Sequence, residues 1–202
     1  MPKVRVDDTL EMGYDEYNFI DPWKQADTVV LQTGCLKPRN LYYAWIPILA
    51  RHFRVIRVHL RGHFDSTPAP EGYRWTIEGL ALDHKNFLDA LGLDRVHYVG
   101  ESLAGVVGYH LAYHYPERLK TMAIVNSPGP SFKHHRMASQ GRYLEIMRRE
   151  GIAGAVNIHR DARIEEMGGN RALADCVYDE MMKSPLAGSI GFLEAAYAAD
   201  VD

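Results

Sequence analysis

The sequence predicts an α/β fold, a mostly parallel sheet with helices on both faces. Three observations carry this reading. Apolar runs of strand length recur around residues 28–31, 53–60, 96–99 and 121–125. Stretches of helical length and periodicity separate them. The junctions fall at Gly, Pro and small polar residues. Strands that alternate with helices require crossover connections, and such connections build parallel sheets covered on both faces.

The elements follow in order. Residues 3–20 read as two short strands, with Val4 and Val6 alternating with charges and Tyr14, Tyr17, Phe19 and Ile20 after Gly13. Asp21-Pro22 is a turn. Thr28-Val29-Val30-Leu31 is short, wholly apolar after its threonine and closed by Gly34, as a buried strand should be. Leu41–Arg51 is expected to be helical, with Pro47 bending it or sitting in its first turn. Phe53–Leu60 is the next strand, followed by the loop RGHFDSTPAPEGY. Thr76 is a good N-cap, and Ile77, Leu80, Ala81, His84, Leu88 and Leu91 recur at helical spacing until Gly92 stops the run. Val96–Val99 is a strand, Leu103–Tyr115 a helix ended by Pro116, and Thr121–Val125 one more strand.

After Pro128-Gly129-Pro130 the pattern changes. Three helices are expected, around Tyr143–Met147, Leu173–Met181 and Ile190–Tyr197, with no further strand. The chain therefore divides into an α/β core over 1–130 and a helical cap or lid over 131–202.

Composition narrows the classes of function. A net charge of -3 over 202 residues gives no electrostatic case for nucleic acid or an acidic membrane surface. No apolar stretch reaches the length of a membrane span, and the N-terminus lacks the apolar core of a secretory signal. The two cysteines, Cys35 and Cys176, form neither a metal spacing nor a disulfide framework, so a cytoplasmic setting is expected. No metal or organic cofactor is implied.

The chemistry centres on Gly100-Glu101-Ser102-Leu103-Ala104-Gly105, which joins a strand to a helix. A serine at such a junction stands at the carboxyl end of a parallel strand, the edge where open α/β sheets bind ligands. Lifting its hydroxyl clear requires strained backbone angles, and the positions two residues away must be small. Gly100 and Ala104 meet that demand. The helix start beside the hydroxyl aims the Leu103 N–H where an oxyanion would form.

GESLAG resembles the nucleophile elbow of the α/β-hydrolase-fold enzymes. Other segments agree in order and spacing. VVLQTG at 29–34 resembles the strand and oxyanion loop, VIRVHLRGHFDS at 55–66 the fourth strand and its loop, and YHYPERLKTMAIVNSP the helix end and sixth strand. The resemblance covers residues 1 to about 130. It implies that Ser102 attacks a carbonyl carbon and that the backbone N–H groups of Leu103 and Cys35 form the oxyanion hole, with Gly34 and Glu101 lining the substrate pocket. The implied enzyme is an esterase or lactonase acting on a small molecule. Alternatives on the same elbow are a C–C bond hydrolase, a perhydrolase, or a non-catalytic ligand-binding or inactive member.

The chain departs from the family's pattern at several points. Thr33 replaces the oxyanion-loop histidine, Phe64 a glycine, and Ala104 a common glycine. Cys35 either faces the pocket or fills a small apolar site. His59 stands where the family usually carries Asp, and is expected to be a structural histidine bonding the turn backbone. Glu101 is expected to hydrogen-bond nearby backbone.

A serine needs a base, and by resemblance the acid and the histidine follow later strands. The slot after the sixth strand holds Asn126 and Ser127, neither of them an acid. His134, His135 and His159 are expected to be surface or cap-hinge residues, and Asp161 and Glu165 a solvated helix face. The acid and the histidine are therefore expected beyond Asp202, and the chain to be a truncated form or fragment. The edge of the sixth strand is expected to be covered by more of the same protein, by a second copy or by another chain.

Overall fold

A computed structural model describes residues 1–129, 137–158 and 160–199. Its sheet has six strands in the order β1-β2-β4-β3-β5-β6. These are β1 (Lys3–Arg5), β2 (Glu11–Tyr17), β3 (Thr28–Gln32), β4 (Arg54–Val58), β5 (Val96–Glu101) and β6 (Leu119–Val125). β1, β2 and β4 pair antiparallel in turn, while β4, β3, β5 and β6 pair parallel. The sheet is therefore mostly parallel, as the alternation predicts.

Side-chain alternation along β3 splits the core in two. Val29 and Leu31 face a cluster with Tyr42, Ile46, Ala50 and Val55, which the helix α1 (Ile46–Leu49) covers. Val30 faces the larger cluster, beneath α2 (Ile77–Ala90) and α3 (Leu103–His114). The Thr76 side chain caps α2 by accepting from the Gly79 N–H at 3.0 Å, and Gly92 just beyond its end has φ +66°.

The helix expected over 41–51 is only four residues long. Upstream of it the chain makes successive three-residue turns, Leu41 N–H to Pro38 O, Tyr43 N–H to Asn40 O and Trp45 N–H to Tyr42 O. Pro38 and Asn40 favour such turns, and Trp45 offers no capping oxygen. Pro47 does sit in the first turn. β6 starts two residues early because a 3-10 turn over Pro116–Arg118 delivers Leu119 opposite Val96.

The later helices are α4 (Met137–Asn157), broken at Gly151 where φ is +70°, α5 (Arg160–Glu166), α6 (Arg171–Met181) and α7 (Leu186–Ala198). α5 is one helix more than the sequence pattern suggested. Asp161 and Glu165 lie exposed on it, as expected of a solvated face. α7 is buried along much of its length, and Phe192, Leu193 and Ala195 join the same apolar cluster as Ile77, Leu80 and Val107. Its glycines allow a close seat. A Cβ on Gly188 would fall 2.2 Å from the Gly62 carbonyl oxygen, and one on Gly191 2.1 Å from the Trp75 ring. No helix among the described residues is long and apolar enough to cross a membrane.

Candidate active site

Ser102 ends β5 and begins α3, with φ 55° and ψ -129°. A positive φ is strained for a residue with a side chain, and it persists only where the surroundings enforce it. Two backbone bonds do so. The Ser102 N–H donates to Val125 O at 2.9 Å, and its carbonyl accepts from the Gly105 N–H at 2.9 Å. The small neighbours are sterically required. A Cβ on Gly100 would lie 2.6 Å from the Ala104 carbonyl oxygen, and one on Gly105 2.2 Å from Ser127 Oγ. Ala104 is fully buried.

The loop after β3 lies directly against this turn. A Cβ on Gly34 would stand 2.6 Å from Ser102 Cβ, 2.9 Å from Glu101 O and 3.1 Å from Leu103 N. Leu103 opens α3, so its N–H is among those with no acceptor inside the helix. Ser102, Leu103 and Gly34 are thus brought together around one small volume. Leu36, just past Cys35, also has a positive φ of 52°.

Cys35 takes the second of the two environments considered for it. Its side chain belongs to the apolar core, and the thiol donates to the Ser189 carbonyl of α7 at 3.5 Å. Burial pushes the thiol up to about 12, so it stays protonated. Its backbone remains part of the loop that faces the elbow.

Glu101 is 7% exposed, and both of its carboxylate oxygens are engaged. Oε2 accepts from the Gly34 N–H at 3.2 Å, and Oε1 pairs with Lys37 Nζ at 2.9 Å. It does bond backbone, as the sequence suggested, but the backbone lies 67 positions away in the chain. Nothing in the sequence around Lys37 marks it as the partner of Glu101.

A polar layer supports the turn from below. The Tyr42 hydroxyl donates to Gln32 O at 2.8 Å. The Tyr98 hydroxyl lies 2.6 Å from Gln32 Oε1 and 2.8 Å from Ala104 O, and its single proton serves either acceptor. Burial raises Tyr98 well above the usual phenol range, so it remains a neutral donor. The sequence did carry a signal here, a glutamine directly after the apolar run Val29–Leu31.

His59 is structural, but its partner differs from the expected turn backbone. Its Nε2 is 3.2 Å from Asp15 Oδ2, inside a cluster with Arg57, Arg39 and Asp65. Burial lowers its pKa to about 4, aided by Arg39 and opposed by Asp15, so the ring is neutral near pH 7. The turn backbone is held by Ser66 instead, whose hydroxyl donates to His59 O at 2.7 Å. Sequence could not supply this partner, because Asp15 lies on a strand 44 positions earlier.

Among the described residues, no histidine hydrogen-bonds Ser102; His59, His63, His84 and His97 are committed to other partners. His134, His135 and His159 lie outside the described residues. Asn126 follows β6 with φ 46°, and the Ser127 hydroxyl donates to Pro128 O at 2.9 Å.

Comparison with known proteins agrees with the fold. Residues 27–167 match the family model described as the alpha/beta hydrolase fold. Bifunctional epoxide hydrolase 2 of Mus musculus is 35% identical over 91 residues, covering 43% of this chain and 16% of that protein. The 2-hydroxy-6-oxo-2,4-heptadienoate hydrolase of Pseudomonas putida is 35% identical over 88 residues, covering 44% of this chain and 32% of that one. The chain thus spans a third or less of the length of these two relatives. Among solved structures, the enol-lactonase from Burkholderia xenovorans LB400 superposes with a TM-score of 0.82 at 24% identity, covering 98% of this chain and 74% of that one.

Proposed function

Because the chain belongs to the α/β hydrolase fold family, we propose that it is a serine hydrolase that cleaves a small carboxylic ester or lactone through an acyl-enzyme on Ser102. The observation that carries this reading is the Ser102 backbone at φ 55°, with the helix start at Leu103 on one side and the Gly34–Cys35 loop on the other.

In the proposed reaction the Ser102 oxygen attacks the carbonyl carbon while a base takes its proton. The tetrahedral oxyanion is held by the Leu103 and Cys35 N–H groups, which are fixed before the reaction begins. The leaving alkoxide is protonated, and water then releases the acid from Ser102 by the same route in reverse. A hydroxyl at this position favours carbonyl substrates. Attack on an epoxide would leave an ether on the serine, which water does not readily cleave. The base is a histidine, oriented by an acid, and both come from outside the described residues. Among the described residues β6 is the last strand in the sheet order, and its outer edge is where further strands or a second chain would pair.

The helices over 137–199 form the cap in this reading. α7 reaches the loop beside Ser102 through the Cys35 thiol, which donates to the Ser189 carbonyl. The free thiols of Cys35 and Cys176 suit a reducing cytoplasm. A second reading, C–C bond hydrolysis of an oxo-dienoate, is favoured by the Pseudomonas putida relative.

Steady-state hydrolysis of p-nitrophenyl acetate, an enol-lactone and a 2-hydroxy-6-oxo-dienoate by the wild-type protein and Ser102→Ala tests the proposal. An ester or lactone turned over by the wild type and lost in Ser102→Ala supports the first reading, and turnover of the dienoate alone supports the second. Activity that survives Ser102→Ala contradicts both.

A further inference from the structure

We propose that Glu101 is a positioning residue whose carboxylate fastens the oxyanion loop to the nucleophile turn through the Gly34 N–H, with Lys37 offsetting its charge. The proposal rests on the reading of Ser102 as nucleophile, and it replaces the expectation that Glu101 lines the substrate pocket.

A buried carboxylate beside the nucleophile is an unfavourable choice unless it does something else. Its charge has the same sign as the oxyanion that forms next door, and repulsion between them grows as water is excluded. Here both of its oxygens are occupied, one by the Gly34 N–H at 3.2 Å and one by the Lys37 ammonium at 2.9 Å. A charged acceptor makes a stronger bond to an amide than a neutral one does. The lysine places a compensating charge against the carboxylate, so the field at the oxyanion is close to that of a neutral pair.

The loop needs such an anchor. Gly34 has the widest torsional freedom of any residue, and the N–H assigned to the oxyanion lies one residue further on, at Cys35. Leu36 beyond it holds a positive φ of 52°, a conformation that relaxes unless it is held. The loop is tied on both sides of that N–H, by Glu101 to Gly34 before it and by the Cys35 thiol to Ser189 O after it. The first tie joins the loop to the residue preceding the nucleophile, so Leu103 and Cys35 keep their mutual geometry when the turn shifts.

The test compares Glu101→Ala, Glu101→Gln and Lys37→Met in the protein as its complete reading frame encodes it. Gly34 amide exchange is read by NMR, and kcat and KM are measured on p-nitrophenyl acetate. In Glu101→Ala, Gly34 protection should be lost and kcat should fall by about 10- to 100-fold, less than the ~10²- to 10³-fold loss of a whole oxyanion donor, with KM within about twofold. Glu101→Gln keeps an acceptor for Gly34 and should restore protection and most of kcat. Lys37→Met leaves the carboxylate uncompensated and should lower kcat while Gly34 stays protected.

Unchanged Gly34 exchange in Glu101→Ala overturns the tie, as does an equal loss of kcat in the Gln and Ala variants. If Glu101→Ala fails to fold, Glu101→Gln and Lys37→Met decide alone, and normal kcat in Lys37→Met overturns the charge-offset role. Failure of the underlying reading looks different, because activity would then survive Ser102→Ala whatever the exchange at Gly34.

Discussion

Gly34 is pressed so closely against Ser102 that a methyl group on the glycine would come within 2.6 Å of the serine Cβ. The same methyl would meet the Glu101 carbonyl at 2.9 Å and the Leu103 nitrogen at 3.1 Å, and backbone atoms cannot swing aside. Gly34→Ala should therefore push the loop off the turn. We expect a stability loss of about 1–3 kcal/mol, as overpacking typically gives, with a larger proportional loss of ester hydrolysis. Urea denaturation and kcat measured on one preparation check both.

Gly105 gives a prediction that can be reversed. A Cβ there would meet Ser127 Oγ at 2.2 Å and Ser127 Cβ at 2.5 Å, with Ile124 Cγ2 at 2.8 Å. Gly105→Ala should destabilise by roughly 1–3 kcal/mol, and Ser127→Gly should recover part of that loss in the double variant. A double-mutant cycle measures the coupling. Additive effects would mean that the two positions are not in contact.

The turn itself was legible in the sequence because its demands are local. A strand, a serine and small residues at 100, 104 and 105 specify one geometry, whichever helices surround it. The parallel sheet was legible for a similar reason, since strand and helix periods alternate over 28–125. The neighbours that hold the turn were not. Glu101 reaches Gly34, His59 reaches Asp15 and Cys35 reaches Ser189 across 67, 44 and 154 positions, and no local pattern encodes such pairs. The shortness of the four-residue α1 is hidden in the sequence, because apolar spacing persists through turns that Pro38 and Asn40 impose.

Among the described residues, four buried histidines, His59, His63, His84 and His110, are held below their usual range by burial and set a pH dependence. His59 and His84 are held neutral, each with its pKa lowered from 6.5 to about 4, chiefly by burial. The unfolded chain binds protons at these sites between about pH 6.5 and 4 and the folded one does not. Their contribution is therefore complete above pH 6.5 and is lost as pH falls toward 4, by up to about 3 kcal/mol each. Urea midpoints measured across that range should fall with pH, and His84→Gln, which cannot titrate, should flatten the slope. An unchanged slope in His84→Gln would remove His84 from the account.

Among the described residues, Arg61 and Asp83 form the most enclosed ion pair, with Arg61 Nε and Nη2 both on the carboxylate at 2.9 and 2.8 Å. Asp7 at 2.7 Å, the Thr9 hydroxyl at 3.2 Å and the Tyr73 ring at 4.6 Å also surround the guanidinium. Asp83→Ala leaves a buried cation short of its main partner and should cost about 3–5 kcal/mol. Asp83→Asn keeps a hydrogen-bond acceptor and should cost less. Chemical denaturation of the two variants distinguishes this order from a uniform effect.

The central claim is that Ser102 is the nucleophile, and the most direct test is covalent. The protein encoded by the complete reading frame is treated with a fluorophosphonate, and the adduct is located by intact-mass and peptide mass spectrometry. The account predicts a single adduct per chain, on the peptide that contains Ser102, and none in Ser102→Ala. A wild-type protein that hydrolyses esters without forming that adduct, or a Ser102→Ala variant that labels as strongly, would contradict it.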